Sequence, residues 1–171
     1  NYTNLAARSL TIVRLDTGPV QLIRLTPETM ALQKDPRLEE ESRRIGEIVR
    51  TKSPEQFWNG NFQAPVAARG HGYGAERRYV EIRSRTRAPK RGAKRSSSFL
   101  GYHRGLDFSA EPGAPVLAAN AGKVLAAEPF VLPGNAVFLD HGQGLVSSYF
   151  HLQEIRVKPG DTVAQGDVVG M

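Results

Sequence analysis

From Phe62 onward glycine and proline cut the sequence into short β-prone runs, and this punctuation constrains the fold more than any other feature. The chain carries 17 Gly and 11 Pro, few of them adjacent, a pattern of many turns rather than of disorder. Runs near 105–109, 115–119, 122–127, 135–140, 145–152 and 154–158 read as strands. His141-Gly142-Gln143-Gly144 reads as a tight turn between two of them. A mainly β domain of antiparallel sheets, packed or wrapped as a sandwich or hybrid barrel, is expected over 61–171.

Upstream the texture differs. Residues 10–15 and 20–25 are short β-prone runs separated by Thr17-Gly18-Pro19, so 1–34 reads as a hairpin or as the last strands of a β module. Two strands alone are marginal in water, so this piece must pack on something else. Asp35-Pro36 then supplies an N-cap acceptor and a proline at the first helical position. Leu38, Ile45, Ile48 and Val49 fall roughly on one face of that helix, and Glu39 to Glu41 sit near the positive end of its dipole. Ser53-Pro54-Glu55-Gln56 repeats the signal as a capping box. Residues 35–60 are thus expected to be a helical connector, with Trp58 and Phe62 tucking it against the next domain.

The chain of 171 residues has no Cys, which excludes disulfides, thiolate metal sites and cysteine nucleophiles. No stretch approaches the apolar length of a transmembrane helix, and no signal peptide is visible. The chain opens at Asn1 rather than Met, consistent with removal of an upstream segment. Ten of the 23 Lys and Arg lie between Arg77 and Arg104, where Glu81 is the sole acid. Such a block attracts polyanions, although a solvated loop accounts for most of it. Residues 85–98, rich in Arg, Lys and Ser, read as a mobile low-complexity loop.

The four histidines are His71, His103, His141 and His151. A lone histidine is usually a surface or satisfied core residue, and His71 and His141 take that reading. His103 has a companion in His103-Arg104-Gly105-Leu106-Asp107. Imidazole nitrogen and carboxylate oxygen both ligate zinc, at about 2.0–2.2 Å. In a flat strand the two residues would stand roughly 13 Å apart, too far for one ion. The chain must therefore bend between them, which Gly105 allows. By itself the motif is weak.

Its context is specific. Gly101-Tyr102-His103-Arg104-Gly105-Leu106-Asp107-Phe108 leads to Gly113-Ala114-Pro115-Val116, Ala121-Gly122-Lys123-Val124 and Gly134-Asn135-Ala136-Val137. Asp140-His141-Gly142, Ser148-Tyr149-Phe150-His151-Leu152, Val157-Lys158-Pro159-Gly160-Asp161 and Gln165-Gly166-Asp167-Val168-Val169-Gly170 follow in order. This series resembles the catalytic domain of lysostaphin-type peptidases, the zinc endopeptidases that cut peptidoglycan peptides. Trp58-Asn59-Gly60-Asn61-Phe62 and Gly72-Tyr73-Gly74 with Arg77 resemble the entry to that domain.

The resemblance implies that His103 and Asp107 are the first two zinc ligands. It implies that His151 is the catalytic strand histidine, which orients water or stabilises the tetrahedral intermediate. The family's third ligand comes from a His-x-His motif soon after a Val-Val-Gly turn, and no His-x-His occurs in this sequence. Catalytic zinc normally takes three protein ligands and a water. The expectation is that the natural chain continues past Met171, and that this stretch alone binds zinc weakly and hydrolyses little. Peptidoglycan peptides are the implied substrate and the cell envelope, periplasmic or extracellular, the implied location. The basic segment 83–95 is a candidate contact for anionic wall polymer.

Three rivals compete. One is a non-catalytic member of the same fold regulating another wall hydrolase, against which retention of His103, Asp107 and His151 argues. Pro159-Gly160-Asp161 and Gln165-Gly166-Asp167 suggest a lipoyl- or biotinyl-carrier-like module, but Lys123 and Lys158 lack its hairpin-tip setting. No nucleic-acid partner is expected, because the Arg/Lys run between Arg83 and Ser98 has no interleaved aromatics.

Overall fold

The structure, a computed structural model, describes residues 20–68, 70, 76–81 and 98–171. Its strands and helices run β1 (Gln21–Leu25), α1 (Pro27–Leu32), α2 (Leu38–Val49), β2 (Glu76–Glu81), β3 (Ser98–Tyr102), β4 (Val116–Leu117), β5 (Gly122–Phe130), β6 (Gly134–Gly142), β7 (Leu145–Leu152), β8 (Thr162–Val163) and β9 (Val168–Gly170). They form a four-stranded sheet in the order β7-β6-β5-β8, a three-stranded sheet β1-β2-β3, and the pair β4-β9. Every pairing is antiparallel except β1 with β2. The expected mainly β, antiparallel architecture is present.

The four-stranded sheet is buried on both faces, and β6 shows why. Ala136, Val137, Phe138 and Leu139 have no exposed surface. Alternate residues of a strand face opposite ways. Val137 and Leu139 join Ala118, Val124, Tyr149, Leu152, Val163 and Val169 on one side. Ala136 and Phe138 join Ala126, Phe130 and Ile48 on the other, so α2 covers that face. A bulge at Leu125 lets Val124 and Ala126, two residues apart, serve opposite faces.

The hairpin expected at 141–144 forms, with Gln143 and Gly144 at φ of 53° and 81° linking β6 to β7. Such paired positive φ values match the right-handed twist of the flanking strands. Strand positions shift elsewhere. The run expected at 105–109 lies at 98–102 instead, and 154–158 supplies a single bridge from Ile155 to Gly170. Gly105 and its neighbours bend away from the strand, which leaves 103–107 as a loop.

The N-terminal expectation needs correction. Residues 10–15 lie outside the described residues. The run at 20–25 does form a strand, but it pairs in parallel with β2, over 50 residues downstream, in the register Gln21 to Arg77 and Ile23 to Tyr79. Residues 27–32 are helical rather than β, because Thr26 accepts a bond from the Thr29 N–H at 3.2 Å and Pro27 opens the first turn.

The helix expected after Asp35-Pro36 forms as α2, but it starts at Leu38 with Arg37 at its N-cap, and Asp35 instead accepts from the Arg37 backbone N–H at 2.9 Å in the turn before it. Ile48 is buried and Ile45 half-buried as expected, but Val49 is exposed. The second helix signal fails. Ser53 donates its hydroxyl to Asp140 instead of capping a turn. The Phe57 N–H bonds the His141 carbonyl at 2.8 Å, and Gln56 bridges Gly142. Residues 53–57 therefore bond to the hairpin end of β6 and β7, since this pairing satisfies more backbone groups than an isolated turn. Phe62 meets His141 edge-on with ring centroids 5.0 Å apart, yet it stays 42% exposed rather than tucked in.

Candidate metal centre

β3 ends at Tyr102, and the loop that follows doubles back so that His103 Nε2 stands 3.2 Å from Asp107 Oδ1. The His103 side chain is largely shielded, while that of Asp107 is about half exposed (16% and 46%). A nitrogen and an oxygen donor thus converge at the surface. The loop is held from behind by close packing at Gly70, where an added Cβ would lie 2.7 Å from the Phe108 ring.

The second oxygen of Asp107 is engaged separately. Arg77, on β2, donates to Asp107 Oδ2 through one terminal nitrogen and to Gln21 Oε1 through Nε at 3.0 Å. Its side chain is 13% exposed. Sequence reasoning noted Arg77 as part of an entry motif but assigned it no role, and it missed Gln21, since a glutamine at the start of a strand carries no local signal.

His151 sits at the far end of β7 with φ at 59°, a left-handed conformation uncommon for a residue with a side chain. Its N–H bonds the Pro133 carbonyl at 2.8 Å, which holds the strained backbone in place. The cause is a bulge. Tyr149 pairs with Val137 but Leu152 pairs with Asn135, so β7 carries one extra residue here. The expectation that Ser147, Tyr149 and His151 share one face is therefore corrected. Ser147 and Tyr149 do, and their oxygens lie 3.1 Å apart. Leu152 takes the next inward place, and His151 is turned out to solvent. Tyr149 is a core residue rather than a groove wall, whereas Tyr102 beside His103 is 71% exposed.

His141 is structural, as expected, and fully buried. Its Nδ1 lies 2.7 Å from the Ala121 carbonyl, so this nitrogen donates. In the neutral ring Nε2 then accepts from Ser147 Oγ, also at 2.7 Å. Ser147 meets Tyr149, whose hydroxyl accepts from the Ala119 N–H at 2.8 Å. His71 and the basic segment 83–95 lie outside the described residues. Among the described residues no cluster of three His, Cys, Asp or Glu converges on one point.

The chain matches peptidase family M23 over residues 101–171. It is 38% identical over 68 residues to the peptidoglycan DD-endopeptidase ShyC of Vibrio cholerae, covering 40% of this chain and 16% of that one. An uncharacterized metalloprotease of Buchnera aphidicola is 35% identical over 69 residues, covering 40% and 18%. The matched stretch thus spans less than a fifth of these curated relatives. The crystal structure of a putative peptidase M23 from Pseudomonas aeruginosa superposes with a TM-score of 0.57 at 30% identity, covering 78% of this chain and 47% of that one. The shared β architecture and the family match together make residues 101–171 similar to peptidase family M23.

Proposed function

We propose that the chain forms part of a zinc-dependent endopeptidase that cleaves peptidoglycan peptides in the bacterial cell envelope, on the periplasmic or extracellular side. The observation that carries this reading is the approach of His103 Nε2 to Asp107 Oδ1 at 3.2 Å, within the stretch that matches the M23 family. Two vertices of a zinc tetrahedron with bonds of about 2.0–2.1 Å are separated by about 3.3 Å. The pair fits that edge, and its N/O donor set suits zinc. Among the described residues no helix is long and apolar enough to cross a membrane.

Bound zinc would polarise the scissile carbonyl and lower the pKa of its water towards neutrality. The protein's own groups do the rest. His103 and Asp107 hold the ion at the surface, where an extended peptide can reach it. His151 is the proton-handling residue, its imidazole turned outward and its backbone fixed by Pro133. A loop carrying the ligands beside a rigid sheet suits this work, because ligand geometry is preset while the substrate side stays open.

The test uses the full natural chain. Zinc retained through dialysis, cleavage of purified peptidoglycan, and loss of both in His103→Ala are the expected results. Retained fold with neither zinc nor cleavage would overturn the reading in favour of a non-catalytic member of the same fold.

A further inference from the structure

We infer that Gln21 and Arg77 form a positioning brace for Asp107, so that the N-terminal strand β1 is a working part of the metal centre. The inference rests on the metallopeptidase reading above. Its basis is a continuous polar chain across three segments. Gln21 and Arg77 are register partners in the parallel β1–β2 pair. Gln21 Oε1 accepts from Arg77 Nε at 3.0 Å, and a terminal nitrogen of Arg77 binds Asp107 Oδ2.

Each link restricts the next. A carboxylate has two oxygens and, on a free side chain, can turn either or both to a metal. Arg77 occupies Oδ2, which leaves Oδ1 to face His103 Nε2. The brace therefore selects ligation through one oxygen and fixes the carboxylate plane. Arg77 in turn needs its guanidinium held in orientation, because Nε and the terminal nitrogens lie in one rigid plane. Gln21 supplies that hold from one side while Asp107 takes the other. The low exposure of the Arg77 side chain makes both bonds hard for water to replace. Nothing else about β1 demands a glutamine at this position: its neighbour Leu22 is half exposed, and the strand's backbone pairing is indifferent to side chain.

The sequence alone reads residues 1–34 as the end of an N-terminal β module and gives it no part in the metal centre. The brace predicts otherwise: loss of β1 loosens Asp107 more than 50 residues away from the strand in the chain. Partners that orient metal ligands typically change metal affinity by about 10–100-fold when removed.

The experiment is zinc affinity of the full natural chain, read by competition with a chromogenic chelator, together with the visible spectrum of the cobalt-substituted protein. Arg77→Gln and Gln21→Leu are expected to weaken zinc by about 10–100-fold and to alter the cobalt bands. Gln21→Glu keeps an acceptor facing Arg77 Nε and is expected to restore near-native affinity. Arg77→Lys keeps the charge but cannot make both bonds, and should fall with Arg77→Gln. Unchanged zinc affinity and cobalt spectrum in folded Arg77→Gln would overturn the brace. Should that variant fail to fold, Gln21→Leu at the sheet edge decides in the same way. His103→Ala separates the two levels of the argument. If it loses zinc while the Gln21 and Arg77 variants do not, the brace alone is wrong. If it keeps zinc, the metal lies elsewhere and both readings fall.

Discussion

In the proposed site, single-residue changes are the test of which residue is ligand and which is catalyst. With His151 turned outward and its N–H held by Pro133, His151→Ala in the full natural chain should leave zinc bound while hydrolysis falls by about 10²–10⁴-fold, the scale of a lost acid–base group. Metal analysis beside a peptidoglycan cleavage assay checks this, and loss of zinc in the variant would reverse the assignment of roles. Tyr149 offers a second residue-scale test. Burial holds its hydroxyl above the usual phenol range, against the lowering influence of the bonds to Ser147 and the Ala119 N–H. The fold thus favours the neutral phenol. That stabilisation is fully present below the unfolded value of about 10 and is lost as pH rises through the raised folded value. Tyr149→Phe should cost about 1–3 kcal/mol at neutral pH, because the Ala119 N–H loses its acceptor in the core. It should also flatten the decline in thermal midpoint above pH ~10.

At the scale of elements, the β6–β7 hairpin and residues 53–57 act as one unit. Gly142 has φ of 88°, and a Cβ there would fall 1.7 Å from the Glu55 carbonyl oxygen. Gly142→Ala therefore meets both a strained backbone, itself costing about 1–3 kcal/mol, and a clash with the Glu55 backbone. The expected outcome is loss of cooperative unfolding or a marked fall in thermal midpoint, measured by circular dichroism. The start of α2 is a milder case. Hydrogen bonds from the Arg37 side chain and backbone hold the Asp35 carboxyl at about 2. Its contribution is present above the unfolded value and disappears as pH falls through about 2. Carbon-13 NMR titration of Asp35 should show that depressed midpoint, and Arg37→Ala should return it towards the ordinary carboxylate range.

Over the whole molecule, three segments distant in sequence converge on the 103–107 loop: β1 through Gln21, β2 through Arg77, and the chain at Gly70 beneath Phe108. A chain starting at residue 27 would lack β1 and its parallel pairing. Such a truncation should retain the four-stranded sheet, whose core residues all lie from Ile48 onward. It should weaken zinc retention far more than it lowers the main unfolding transition, which paired calorimetry and metal analysis can resolve.

The sequence by itself determined the elements whose causes are local. The continuous apolar run from Ala136 to Leu139 set β6, Gly142-Gln143-Gly144 set the hairpin, and Asp35-Pro36 set the turn that leads into α2, because turn chemistry and short apolar runs act within a few residues. The spacing of His103 and Asp107 likewise required a bend that Gly105 permits. Tertiary structure decided everything that depended on a distant partner. Ser53-Pro54-Glu55-Gln56 carries a sound helix cap, yet Asp140 and the hairpin backbone offered those groups better bonds. His151 fits an alternating strand until the bulge opposite Asn135 and Val137 turns it outward, a shift set by how Leu152 packs. β1 read as a strand from its local sequence, but its parallel pairing with β2 carried no local signal. Strand propensity states that a segment will pair; the partner is chosen by which long-range contact buries and bonds the most, and that is settled only when the chain has closed.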